Sequence, residues 1–148
     1  MKLLGMNLKA AVWALVTLTS SISFGQSIKK CDGSVLSITS EKIGKLSEQE
    51  IGDFLSTFGE ECRNNVEFTE WSNELLFDVM EMQTQLTLTT IEQDKRIDLG
   101  EILEVIASPL LDEDIDTLIA KVRSTNVEPK LKQKVLEKLT IAKNSLKN

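Results

Sequence analysis

Helix boundaries are written into this chain repeatedly, whereas the alternation of apolar and polar residues that marks a half-buried strand is almost absent. Ser47-Glu48-Gln49-Glu50 has the pattern of a capping box, with Leu46 and Ile51 placed around it as a hydrophobic staple. Ile51, Phe54, Leu55 and Phe58 follow at i, i+3, i+4 and i+7, and Gly59 supplies a stop. A second helix is expected from about Thr69 to Gln83, burying Phe68, Trp71, Leu75, Val79 and Met82 on one stripe, with Leu76, Phe77 and Met80 widening it. Asp98-Leu99-Gly100-Glu101 reads as another capping box, opening a short helix over Leu99, Ile102, Leu103 and Ile106 that ends at Ser108-Pro109.

From about Leu110 to Arg123, Leu111, Ile115, Leu118, Ile119 and Val122 share one face. Asp112, Glu113, Asp114 and Asp116 stand near its start and Lys121 and Arg123 near its end, matching the helix dipole. Pro129 opens the last helix, whose stripe is Leu131, Val135, Leu139, Ala142 and Leu146. Ser34 to Lys45 and Thr84 to Thr90 carry no decisive signal, and the second of these reads as a short strand or an irregular connector. The expectation is an all-α protein of about five amphipathic helices in one irregular bundle, the last two folded back as an antiparallel helical hairpin. That hairpin resembles a unit of the kind stacked in HEAT-like solenoids, but the chain has no fixed period and no second copy.

Residues 1–25 follow the secretory pattern in order: basic Lys2 and Lys9, an apolar run from Ala10 to Leu18, then Ser23 and Gly25 as the small residues a signal peptidase needs. Cleavage before Gln26 is the first expectation and cleavage after Ser23 the alternative, leaving 26–148 as a single α-helical domain. No stretch approaches the ~20 apolar residues of a membrane span, and no cysteine stands at the cleavage point for a lipid anchor. The expected place is therefore outside the cytoplasm, in a periplasm or the medium. There, Cys31 and Cys62 should persist as one structural disulfide, since the C-x-x-C spacing of a redox pair is missing. Closing that loop is worth roughly 3 to 4 kcal/mol on the chain-entropy account.

The chain contains no His and no Tyr, so His triads, His zinc sites and His or Tyr general acids are excluded. Three constellations could still carry chemistry. Thr90 to Glu101 can be laid over the twelve-residue calcium loop of an EF-hand, with Glu101 as the bidentate ligand, Asp94 and Asp98 at positions five and nine, and Ile97 at position eight. Thr90 in place of the first acid and Lys95 in place of the turn glycine argue against an ion, so no metal and no cofactor is expected. Glu60, Glu61, Glu67, Glu70 and Glu74 cluster in sequence around Cys62 and Trp71, where a hydrolase would want two facing carboxylates, but nothing in their spacing selects a pair. The aromatic and methionine stripe Phe68, Trp71, Phe77, Met80 and Met82 would suit a partner helix, yet a chain this poor in aromatics needs it for a core.

Charge is divided along the chain. Without Lys2 and Lys9 the chain carries 15 basic and 23 acidic groups, a net charge of −8. Cys31 to Asp116 holds 21 acids and 5 bases, and Thr117 to Asn148 holds 8 bases and 2 acids. Lys130, Lys132 and Lys134 occupy the opening turns of the last helix, where the dipole prefers acids. An antiparallel hairpin brings Lys121 and Arg123 beside them, giving a basic corner for an anionic protein or envelope component; no nucleic-acid partner is expected. The chain thus reads as a secreted, non-catalytic binding module, with a small hydrolase using a carboxylate pair, or a structural envelope-associated protein, as alternatives. Thiol labelling of the unfolded, unreduced protein should find no free cysteine, and two labelled residues per chain would contradict the bridge.

Overall fold

A computed structural model describes residues 31–110 and 114–146; the expected signal segment and Leu111, Asp112 and Glu113 lie outside the described residues. Among the described residues the fold is all-α, with seven α-helices and no strand. They are α1 (Gly33–Glu41), α2 (Glu48–Leu55), α3 (Val66–Met82), α4 (Thr84–Gln93), α5 (Leu99–Ala107), α6 (Ile115–Ser124) and α7 (Pro129–Ser145), with a 3-10 turn at Glu60–Cys62 before α3. No helix among them is long and apolar enough to cross a membrane. The two helices beyond the expected five, α1 and α4, fall in the two stretches that carried no decisive signal.

Each start has a local cause. Ser47 accepts the Glu50 N–H, and the Glu50 carboxylate reaches back to the Ser47 N–H at 2.9 Å, closing the expected box. Asp32, Asn65 and Asp114 cap α1, α3 and α6 through their side-chain oxygens. The box expected at α5 is half made: Asp98 accepts from Gly100 and Glu101, but the Glu101 carboxylate turns away to the Arg63 guanidinium. α4 is helical despite four threonines because Thr84, Thr87 and Thr90 donate their hydroxyls to the carbonyls of Met80, Gln83 and Leu86, at 2.6, 2.9 and 2.8 Å. Their methyl groups enter the core while the polar atom is satisfied locally.

α1 packs on α2 and α3, α2 on α4, and α6 on both α3 and α4, while α7 packs on α5 and α6. One apolar cluster runs without a break from Leu36 to Ala142. The Cys31–Cys62 bridge forms as expected and ties the start of α1 to the turn before α3. α6 and α7 are antiparallel, since Lys132 near the start of α7 bonds the end of α6 and Lys143 near the end of α7 pairs with Asp116. Thus the hairpin is present, but α7 also lies against α5, with Lys138 on Glu104 at 2.7 Å.

The stripe expected on α3 is rotated. Phe68, Ser72, Leu75, Leu76, Phe77, Val79 and Met80 are buried, whereas Trp71 is 38% and Met82 61% exposed. Helices on both sides of Leu76 centre the buried arc there, and Ser72 can enter it because its hydroxyl bonds the Thr69 carbonyl at 3.0 Å. Leu146, expected inside, is 40% exposed just past the end of α7. Leu76→Ala should therefore cost about 2–5 kcal/mol and Trp71→Ala roughly 1 kcal/mol. Chemical denaturation of both variants checks this, and an equal loss would return Trp71 to the core.

Candidate functional site

The residues of the expected basic corner divide into two groups. Lys121, on the last turns of α6, crosses to α3 and donates to the Glu81 carbonyl (2.9 Å) and carboxylate (3.1 Å). Lys132 donates to the carbonyls of Arg123 (3.4 Å) and Thr125, satisfying acceptors left over at the C-terminus of α6. These two cations hold the hairpin to itself and to α3. Arg123, Lys130 and Lys134 are exposed at the same end of the hairpin, and no ion pair within the described residues involves them. Lys130 and Lys134 stand one turn apart on the solvent side of α7, opposite the side that carries Lys132.

Other cations are consumed in pairing. Lys42 holds Glu50, whose carboxyl is lowered to about 2 by that bond and by the two bonds from Ser47. Arg96 bridges Asp94 at 2.6 Å and Asp53 at 2.8 Å; its bonds hold Asp94 below the usual carboxylate range. Gly52 permits that bridge, since a Cβ there would stand 2.7 Å from the Asp94 carboxylate. Lys45 and Lys95, on separate connecting loops, are the remaining described lysines with no paired acid.

The EF-hand overlay does not fit this geometry. Thr90 to Gln93 belong to α4, and the three acids of the overlay face three different partners: Asp94 faces Arg96, Asp98 caps α5 and Glu101 meets Arg63. Among the five glutamates considered as a catalytic pair, Glu60, Glu61, Glu67 and Glu70 are exposed and Glu74 is half-buried. None of them lines the small cavity of about 50 Å³ between the Cys62 turn, α3 and α5. Its walls include Phe58, Phe68, Asn73 and Val105, and the Arg63–Glu101 ion pair stands at its edge. Asn73 Oδ1 is buried there without a hydrogen-bond partner. No sequence signal marks this cavity, because Asn73 is an unremarkable helical position and its ion pair joins residues 38 apart.

The aromatic and methionine stripe is likewise divided. Phe68, Phe77 and Met80 are core, while Trp71 and Met82 border a solvent-facing arc of α3 that carries acids. Asp78 in that arc is pushed above its ordinary value by partial burial and by Glu81 nearby. No known family model matches the sequence, and no curated protein or solved structure matches it either.

Lys132 and its neighbours should separate in stability. Lys132→Gln is expected to cost about 1 kcal/mol by uncapping α6, while Lys130→Gln and Lys134→Gln should each stay within about 0.5 kcal/mol of the parent. Thermal melts of the three variants test this, and an equal loss at Lys134 would place that lysine in the internal network.

Proposed function

We propose that the chain is an exported binding module, acting without catalysis, that holds an anionic partner through Arg123, Lys130 and Lys134. The observation that supports this reading is the division of the basic residues. Lys42, Arg63, Arg96, Lys121, Lys138 and Lys143 each meet a carboxylate, and Lys132 meets carbonyls. Three cations at one end of the α6–α7 hairpin meet neither. Lys130 sits in the first turn of α7, where the helix dipole works against it, so local stability gives no reason for its presence there. The secretory pattern of residues 1–25 and the Cys31–Cys62 bridge support the exported setting.

A cluster of exposed cations recognises negative charge more by steering and complementarity than by buried area. Binding should therefore weaken as the Debye length shortens from about 30 Å at 0.01 M salt to about 3 Å at 1 M. Immobilised polyglutamate serves as a probe for an acidic protein, and vesicles of phosphatidylglycerol in phosphatidylcholine serve for an anionic envelope. The triple variant Arg123→Gln, Lys130→Gln, Lys134→Gln should lose about tenfold or more in affinity, some 1.4 kcal/mol, on whichever probe binds, at an unchanged melting temperature. Equal retention of parent and variant on both probes would overturn the proposal.

A further inference from the structure

The outer arc of α3 combines exposed apolar surface with clustered acids, of which Glu81 is already held by Lys121. At 3.6 residues per turn, Glu70, Trp71, Glu74, Asp78, Glu81 and Met82 share about a third of the helix circumference, and α1, α4 and α6 cover α3 elsewhere. Trp71 and Met82 are exposed, although aromatic residues make up only 5% of this chain. A large aromatic and a flexible thioether at the surface suit a docked helix. The acids around them select a partner whose own apolar group is flanked by cations, and partial burial with Glu81 nearby already disfavours the charged form of Asp78.

The chain itself carries such a surface. On α7, Lys130, Lys134 and Ile141 fall within about 40° of arc, and Ile141 is 47% exposed. The spacings match: Trp71, Asp78 and Met82 stand seven and eleven residues apart going forward, and Ile141, Lys134 and Lys130 stand seven and eleven apart going back. Helices of equal rise laid antiparallel therefore set Ile141 on Trp71, Lys134 on Asp78, and the methylene stem of Lys130 on Met82. In this register Glu137 lies toward Glu74 on one side of the contact line, and Lys138, already held by Glu104 in its own chain, lies toward Leu75 on the other, so the attraction rests on Lys134 and Asp78. No ion pair or hydrogen bond among the described residues joins these faces of α3 and α7 within one chain.

We infer that a second copy of this chain docks the outer face of its α7, through Lys130, Lys134 and Ile141, on Trp71, Asp78 and Met82 of α3. The partner is thus a named instance of the anionic surface proposed above, and the inference rests on that reading of Lys130 and Lys134. Each copy offers one face of each kind, so association runs head to tail.

Sedimentation velocity on the purified protein, over roughly 1 μM to 1 mM in the weak range of affinities, tests it. The average mass should rise with concentration at about 0.01 M salt and return to that of one chain at about 1 M. Asp78→Lys alone and Lys134→Asp alone should each weaken association about tenfold or more, and the two changes combined in one chain should restore it. Both positions are exposed, and the restored double variant shows that the single variants failed at the contact and did not misfold. A parent that stays a single chain at low salt, or a double variant that fails to regain association, overturns the inference. If such a single-chain parent still binds polyglutamate through Lys130 and Lys134, the anion-binding reading stands and only the second copy as partner falls. If it binds no anion, both fall.

Discussion

The surface that α3 presents depends on how α1 is held beside it, and one glutamine does much of the holding. Gln83 sits at the single-residue break between α3 and α4, where its N–H closes α3 on the Val79 carbonyl and its carbonyl accepts the first bonds of α4 from Thr87. Its side-chain amide donates to the Leu46 carbonyl at 2.8 Å and accepts the Leu46 N–H at 2.9 Å. A pair of partly buried hydrogen bonds of this kind fixes position, because breaking either leaves a polar backbone group without water. At its other end α1 is fixed by the Cys31–Cys62 bridge next to the start of α3. With the bridge before it and the α1–α2 loop after it pinned, α1 covers one flank of α3 only. Gly44, at φ +80, makes the turn after α1 possible, and a Cβ added there would stand 3.4 Å from the Met82 methyl group. The same restraint leaves Trp71 and the acids beyond it uncovered.

Local signals in the sequence were sufficient wherever a helix begins with its own partners nearby. The Ser47 box and the Pro129 start lie within a few residues of the groups they satisfy and are present; the Ile51 to Phe58 stripe is buried, although α2 ends at Leu55 and Phe58 lies beyond it. α1 and α4 were not legible because threonine carries a strand preference when its hydroxyl is ignored. In the folded chain Thr39, Thr84, Thr87 and Thr90 each bond a carbonyl four residues back, which turns a strand former into a core residue of a helix. Glu101 shows the converse limit. Its sequence neighbours offered a capping box, but an Arg 38 residues away offered a charge-assisted bond, and a distant partner of that kind has no local signature.

Trp71 lies outside the core for a related reason. Counting apolar residues at helical spacing finds the centre of hydrophobicity, whereas burial follows the elements that pack on both sides. Ser72 and Gln83 lie inside the true face because their polar groups are satisfied, and they shift that face away from Trp71 and Met82. Neither residue would enter an apolar stripe by composition. The division of the basic corner was equally hidden, since it depends on which lysines reach a carbonyl or a carboxylate across the hairpin.

The opposite charges of the body and the tail meet in defined pairs: Lys121 with Glu81, Lys138 with Glu104 and Lys143 with Asp116. Exposed pairs of this sort contribute little stability one by one, about 0 to 1 kcal/mol, but they penalise any register of α6 and α7 that would separate them. Lys132 adds a bond that no acid could replace, because the end of α6 presents carbonyls. Stability of α7 comes mainly from Leu131, Val135, Leu139 and Ala142, all fully or nearly buried. Lys130 and Lys134 belong to none of these terms. Lys130 opposes the dipole of its own helix, and both lysine side chains face water with no ion pair or hydrogen bond among the described residues, as those of Lys45 and Lys95 also do on their loops. A charge placed against local preference, without a return in packing or pairing among the described residues, is the feature of Lys130 on which the proposed anionic contact rests.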